Sequence, residues 1–221
     1  MSDDVNRRPR RSRGRPALPM DRILGAAVEL LDAEGADALS MRSLAQRLGS
    51  GTATLYRHFS DRSELVSRVI DQILGEVDLD ARALAAQPWQ QACTTFAQHM
   101  FDALRRHGNV APLLIEYTPT GPSALANRER CLTILLDNGF APAVAAHAYA
   151  TLARYVLGFA IQLPGATDGA GDAELSTTFH RLDPSRYPAT VTVADELPVP
   201  LADEFAFGLR LIVSGLERLR E

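Results

Sequence analysis

The sequence predicts an all-α protein in which a small N-terminal unit of three short helices is followed by a longer, entirely helical region. Three observations predict this. Apolar residues recur at three- and four-residue spacing through most of the 221 residues. Period-2 alternation of β-branched residues shows only weakly, at "ATVTVA", Ala189 to Ala194. Glycine, serine and proline punctuate the apolar stripes where helices should begin and end.

Taken in order, a first helix fits Pro19 to Glu34, with Ile23, Leu24, Ala27, Val28, Leu30 and Leu31 on its apolar face and Gly35 as its stop. Ser40 is the expected N-cap of "MRSLAQRL", which Gly49 closes. A third helix is predicted over Thr52 to Phe59. Ser60 or Asp61 then caps a fourth, whose buried stripe is Leu65, Val69, Ile73 and Leu74. Beyond Pro88, a helix from Trp89 to His107 carries Phe96, Met100, Phe101 and Leu104 on one face, and "EYTPTGP" forms a turn before a helix over Ser123 to Asn138. The helices predicted at Ala143 to Leu163 and Leu201 to Leu219 are apolar most of the way round, the pattern of a subunit interface. Between them, Pro164 to Pro200 is too polar for core and longer than an ordinary connection. The expected division is a disordered basic arm at 1–17, a helix-turn-helix unit at 18–65 and a ligand-binding and dimerisation region at 66–221.

Composition narrows the classes. A 46% apolar and 23% charged chain suits a globular protein, and no apolar run approaches the roughly 20 residues that cross a bilayer. With no secretory h-region, the expected compartment is the cytoplasm. Cys93 and Cys131 have no ligand-like spacing and read as reduced core residues. Five histidines occur without a GxSxG, P-loop or HExxH motif, so neither an enzyme nor a metal or cofactor site is expected. The net charge of -4 is unevenly spread: residues 1–68 hold 12 arginines against 9 acids, and "RRPRRSRGR", Arg7 to Arg15, has six arginines and no acid. Such a block seeks a polyanion.

A helix, a glycine-containing turn and a second short helix, "SMRSLAQRLGSGTATLYRHF", is the layout of a helix-turn-helix, whose second helix enters the DNA major groove. Leu44, Leu48, Leu55 and Phe59 would hold the pair together, leaving Thr52, Ala53, Thr54, Tyr56, Arg57 and His58 outward. Small Thr and Ala residues allow close approach to base edges, Tyr and His can donate to phosphate, and Arg pairs with guanine or phosphate. Arg42 and Ser43, at the start of the preceding helix, join this DNA-binding set. "RGRP" resembles an AT-hook core, in which Arg13 and Arg15 would lie in a narrow minor groove beside the helix-turn-helix.

At "TLYRHFSDRSELV" the chain resembles the tetracycline-repressor (TetR) family of bacterial transcription regulators, over roughly residues 18 to 70. The resemblance implies that Thr54, Tyr56 and His58 contact operator DNA and that Arg57 holds a variable specificity position. It also implies that Arg62 stands where a phosphate-contacting or capping Lys is usual. The chain departs from the family at Ser50, usually apolar, and at Gly51, usually Ser or Thr. More faintly, "PWQQACTTFAQHMFDALRRH", "LLDNGFAPAVAAHAYATLARYVLGFAIQ" and "EFAFGLRLIVSGLERL" are similar to the family's ligand domain. That likeness implies a homodimer joined by a four-helix bundle, with a small-molecule pocket in each subunit. The His and Glu that serve Mg²⁺-dependent tetracycline sensing correspond here to apolar residues near Leu114 and to Gln162, so the same chelation is not implied.

The expected pocket is lined by Phe96, Met100, Leu114, Cys131, Tyr149, Arg154 and Gln162, a mostly apolar and aromatic set with a few polar groups, suited to an apolar or aromatic effector. The expected function is a repressor released from a palindromic, double-stranded DNA operator by that effector. A DNA binder that needs no ligand stays open, and a packed C-terminal core without a cavity would be its mark.

Overall fold

The computed structural model describes residues 18–77, 79–163 and 170–220, so the basic arm with Arg13 and Arg15 lies outside the described residues. Among the described residues there is no strand. Helix α1, Met20–Glu34, buries the six apolar residues predicted for it and stops at Gly35, whose φ of 87° is open to glycine at little cost. After a 3-10 turn at Ala36–Ala38 comes α2, Met41–Arg47. Ser40 caps it reciprocally: its Oγ accepts from the Ser43 N–H at 3.1 Å, and Ser43 Oγ accepts from the Ser40 N–H at 3.2 Å. Helix α3 spans only Thr52–Leu55. Tighter turns carry it on to Phe59, whose N–H reaches Leu55 O at 3.0 Å. Helix α4, Arg62–Leu74, starts at Asp61, whose side chain accepts from the Glu64 N–H at 2.9 Å.

The second region holds α5 (Ala81–Ala85), α6 (Trp89–Arg106), α7 (Ala111–Glu116), α8 (Pro122–Asp137), α9 (Pro142–Ala160), α10 (Ala170–His180), α11 (Pro188–Thr192) and α12 (Leu201–Leu216). Helix α6 is its axis, packing on α4, α8, α9 and α12. An aromatic cluster closes that packing. Phe101 of α6 stacks on Phe205 of α12 at 4.2 Å between centroids, Tyr155 and Phe159 of α9 lie against the same ring, and the Tyr155 hydroxyl donates to Phe205 O at 2.7 Å.

Helix α4 joins the two regions, packing on α1 on one side and on α8, α6 and α7 on the other. The boundary drawn after residue 65 therefore falls within one unbroken helix. Polar groups stitch the same seam. Asp71 Oδ1 accepts the Ala124 N–H at the start of α8 at 3.0 Å, and Asn127 Nδ2 donates to Leu74 O at 2.9 Å. His107 lies between two carboxylates, 2.9 Å from Asp32 on α1 and 3.0 Å from Glu76 after α4. Burial pulls its pKa down, but the hydrogen bonds to Glu76 and Asp32 and their negative charge outweigh that, so the net shift is upward.

Three short elements depart from the sequence reading. Helices α5 and α7, of five and six residues, are too short to set a periodic pattern. The alternating "ATVTVA" winds into α11 and a following 3-10 turn at Ala194–Glu196, because Pro188 at the first position favours a helix start. The segment 164–200 is correspondingly not structureless: α10 and α11 occupy much of its described part, and Ala194 is buried.

Candidate nucleic-acid interface and ligand cavity

The helix pair α2–α3 buries Leu44, Leu55 and Phe59. Because α3 keeps one face against α2, the residues between these anchors turn outward. Thr52, Ala53, Tyr56 and Arg57 are exposed, Tyr56 by 56%, while Thr54 and His58 are half-buried at the edge of the same face. Gly51 offers α3 no side-chain cap. Arg42 is also exposed. The face thus presents hydroxyl, imidazole and guanidinium groups with no acidic residue between Thr52 and Ser60, a surface suited to phosphate oxygens and base edges.

Two other residues of the expected set are occupied internally. Ser43 Oγ closes the capping box and also donates to Ala38 O. Arg62 turns inward: its Nε donates to Leu39 O at 2.8 Å, and its terminal nitrogens donate to Ala36 O and to the Tyr117 hydroxyl, each at 3.3 Å. Arg62 therefore ties the start of α4 to the loop before α2 and to the end of α7.

A cavity of about 660 Å³ opens in the second region. Phe96, Met100 and Leu104 of α6 form one wall, Tyr149, Leu152 and Val156 of α9 another, and Leu114 of α7 and Leu74 of α4 lie between them. Of the expected ligand residues, Phe96, Met100, Leu114, Tyr149 and Arg154 meet around this space. Cys131 and Gln162 do not. Cys131 is fully enclosed core, and burial pushes its thiol pKa up to about 12, as it does for Cys93. Gln162 is exposed past the end of α9, its amide donating back to Gly158 O at 3.3 Å.

Sequence reasoning missed Arg128 of α8, which also lines the cavity; its Nε donates to the Tyr149 hydroxyl at 3.3 Å and its guanidinium carbon lies 5.6 Å from that ring's centroid. A second cavity of about 220 Å³, between α5, α6 and α8, holds none of the expected residues. No group of His, Cys, Asp and Glu among the described residues could hold a metal ion. No helix among them is long and apolar enough to cross a membrane.

The chain matches the family description "Bacterial regulatory proteins, tetR family" over residues 23–69, and "Tetracyclin repressor-like, C-terminal domain" over 83–220. It is 33% identical to the HTH-type transcriptional repressor DrrR1 of Streptomyces coeruleorubidus, covering 98% of this chain and 83% of that one. Among solved structures, apo ActR from Streptomyces coelicolor superposes with a TM-score of 0.81 at 30% identity, over 92% of this chain and 96% of ActR. ActR in complex with actinorhodin gives a TM-score of 0.80 at 30% identity, over 92% and 99% of the two chains.

Proposed function

Because the chain belongs to the tetR family of bacterial regulatory proteins, we propose that it is a homodimeric transcriptional repressor, released from a palindromic DNA operator by a small apolar or aromatic effector. One observation carries the effector half of this reading: Leu74 of α4 lines the cavity, while the same helix packs on α1 of the DNA-reading unit. A ligand in the cavity therefore touches the element that sets where α3 points. Release follows if the effector binds more tightly to a conformer whose two reading helices no longer fit half-sites about 34–36 Å apart. The complex of ActR with actinorhodin is a precedent for such occupancy in a similar structure.

In this reading Thr52, Ala53, Thr54, Tyr56, Arg57 and His58 face the groove, Arg42 flanks them, and Arg13 and Arg15 follow the minor groove. The protein works in the cytoplasm and catalyses no reaction. A cavity of this size at the centre of the second region counts against a DNA binder with no ligand, which would gain stability by filling the space.

Selection of bound duplexes from a random pool, at a fixed salt concentration, tests the DNA half. A two-fold symmetric consensus is expected; recovery of unpatterned or merely AT-rich DNA would overturn the reading. With the consensus in hand, Tyr56→Ala with His58→Ala should weaken binding, each lost base contact costing about 1–3 kcal/mol and each lost phosphate contact lowering the salt slope by about 0.9. Full binding by that double variant would remove α3 as the reading element.

A further inference from the structure

The wall of the large cavity carries two full positive charges, on Arg128 and Arg154, and no carboxylate at all. Neither arginine belongs to any ion pair among the described residues. Arg128 spends Nε on the Tyr149 hydroxyl and has no further hydrogen bond there; Arg154 makes one long bond, 3.4 Å, to Ala150 O of its own helix. Asn127, the other strong polar group in the wall, is already committed: its amide nitrogen donates to Leu74 O, and its oxygen accepts from Arg130 at 2.7 Å. The remainder is apolar, built on Phe96, Met100, Leu104, Leu152 and Val156.

Arg128 is half-buried and Arg154 exposed at the cavity mouth, so both keep N–H groups available to an incoming molecule, and a planar guanidinium is shaped for a carboxylate, sulfonate or enolate. Tyr149 holds the Arg128 guanidinium over its ring, so the fork is partly fixed before a ligand arrives. We infer that the effector is an organic anion: a flat, mostly apolar body seated on α6 and α9, with an acidic group received by Arg128 and Arg154. This rests on the effector reading above and adds the sign and placement of the ligand's charge.

Two dyes that differ by one charged group test it on the full chain. Anilinonaphthalene sulfonate is anionic, and N-phenylnaphthylamine is its neutral counterpart. The sulfonate should bind at least about tenfold more tightly, the effect of one charge-assisted hydrogen bond. The pair Arg128→Gln and Arg154→Gln should remove that preference, read as the ratio of the two dyes' affinities within each variant, and Arg128→Lys should keep part of it. Met100→Trp, which fills the cavity, should displace both dyes. Equal binding of the two dyes to the wild type, indifferent to the arginine changes, overturns the anion assignment and leaves the cavity as a ligand site. So does loss of both dyes in the glutamine variants, which would make the arginines structural. If neither dye binds, or Met100→Trp displaces neither, the effector reading itself falls.

Discussion

Arg62 and His107 show how single side chains decide more than their position on a helix suggests. The family resemblance gives Arg62 the place of a phosphate-contacting or capping Lys, and linear order cannot show that three acceptors wait behind it. Replacing it with Met should cost about 1–3 kcal/mol, from unpaired carbonyls and the lost tie to Tyr117, measured as a lower urea midpoint. An unchanged midpoint would mean that the guanidinium is free to face DNA. His107 brings a pH dependence with a definite sign. Its folded pKa lies above the unfolded value of about 6.5, so its contribution is complete below that pH and is lost as pH rises through the folded value. The wild type should therefore lose more stability between pH 6 and pH 8.5, in buffered urea titrations, than His107→Gln does; parallel losses would remove the bridge as the cause. Cavity residues were legible only in part. Helical spacing marks which faces are apolar, and so finds Phe96, Met100 and Tyr149, but it cannot tell a face that meets empty space from one that meets atoms, as the face of α8 carrying Cys131 does. Nothing in the linear sequence marks Arg128, since its partner Tyr149 lies on another helix.

At the scale of elements, the long helices were legible because each has a periodic stripe together with a physical start and stop. Gly35, Gly49 and Gly139 all take positive φ at helix ends. Ser40 caps α2, and Ser40→Ala should lower stability by about 1 kcal/mol, read from the thermal midpoint. The short helices α5, α7 and α11 were not legible, because five or six residues give less than two turns of pattern and their conformation is set by what they pack on, and neither was α10, which lies in a polar segment. Contacts between elements give another test. A side chain at Gly208 of α12 would run into the Tyr155 hydroxyl and ring, which the Phe205 carbonyl and ring hold in place. Gly208→Ala should therefore destabilise the α9–α12 packing by about 1–3 kcal/mol, visible in the same thermal melts. A neutral result would show that Tyr155 swings aside freely.

For the whole molecule, α12 keeps a second apolar face in the single chain. Phe207 and Leu211 on α12 are 56% and 59% exposed, and Ile161 beyond α9 is 42% exposed. Such a surface is stable in water when a second copy covers it. Leu211→Glu should yield a monomer in sedimentation velocity and, because two half-sites must be read together, a much weaker operator complex. A dimer that survives the change would place the interface elsewhere. The continuity of α4 bears on how such a chain can be rebuilt. Val66, Ile70, Ile73 and Leu74 are all buried along that helix, Asp71 caps a helix of the other region, and Asn127 grips its last turn. A reading head cut free anywhere along α4 would carry sticky, uncovered apolar surface, and one grafted onto a foreign ligand domain would arrive with the wrong mating face. If the outward residues of α3 read DNA as proposed, new specificity is best obtained by rewriting them in place, and exchange of whole heads between related regulators should succeed only when the α8 partners of α4 travel with them.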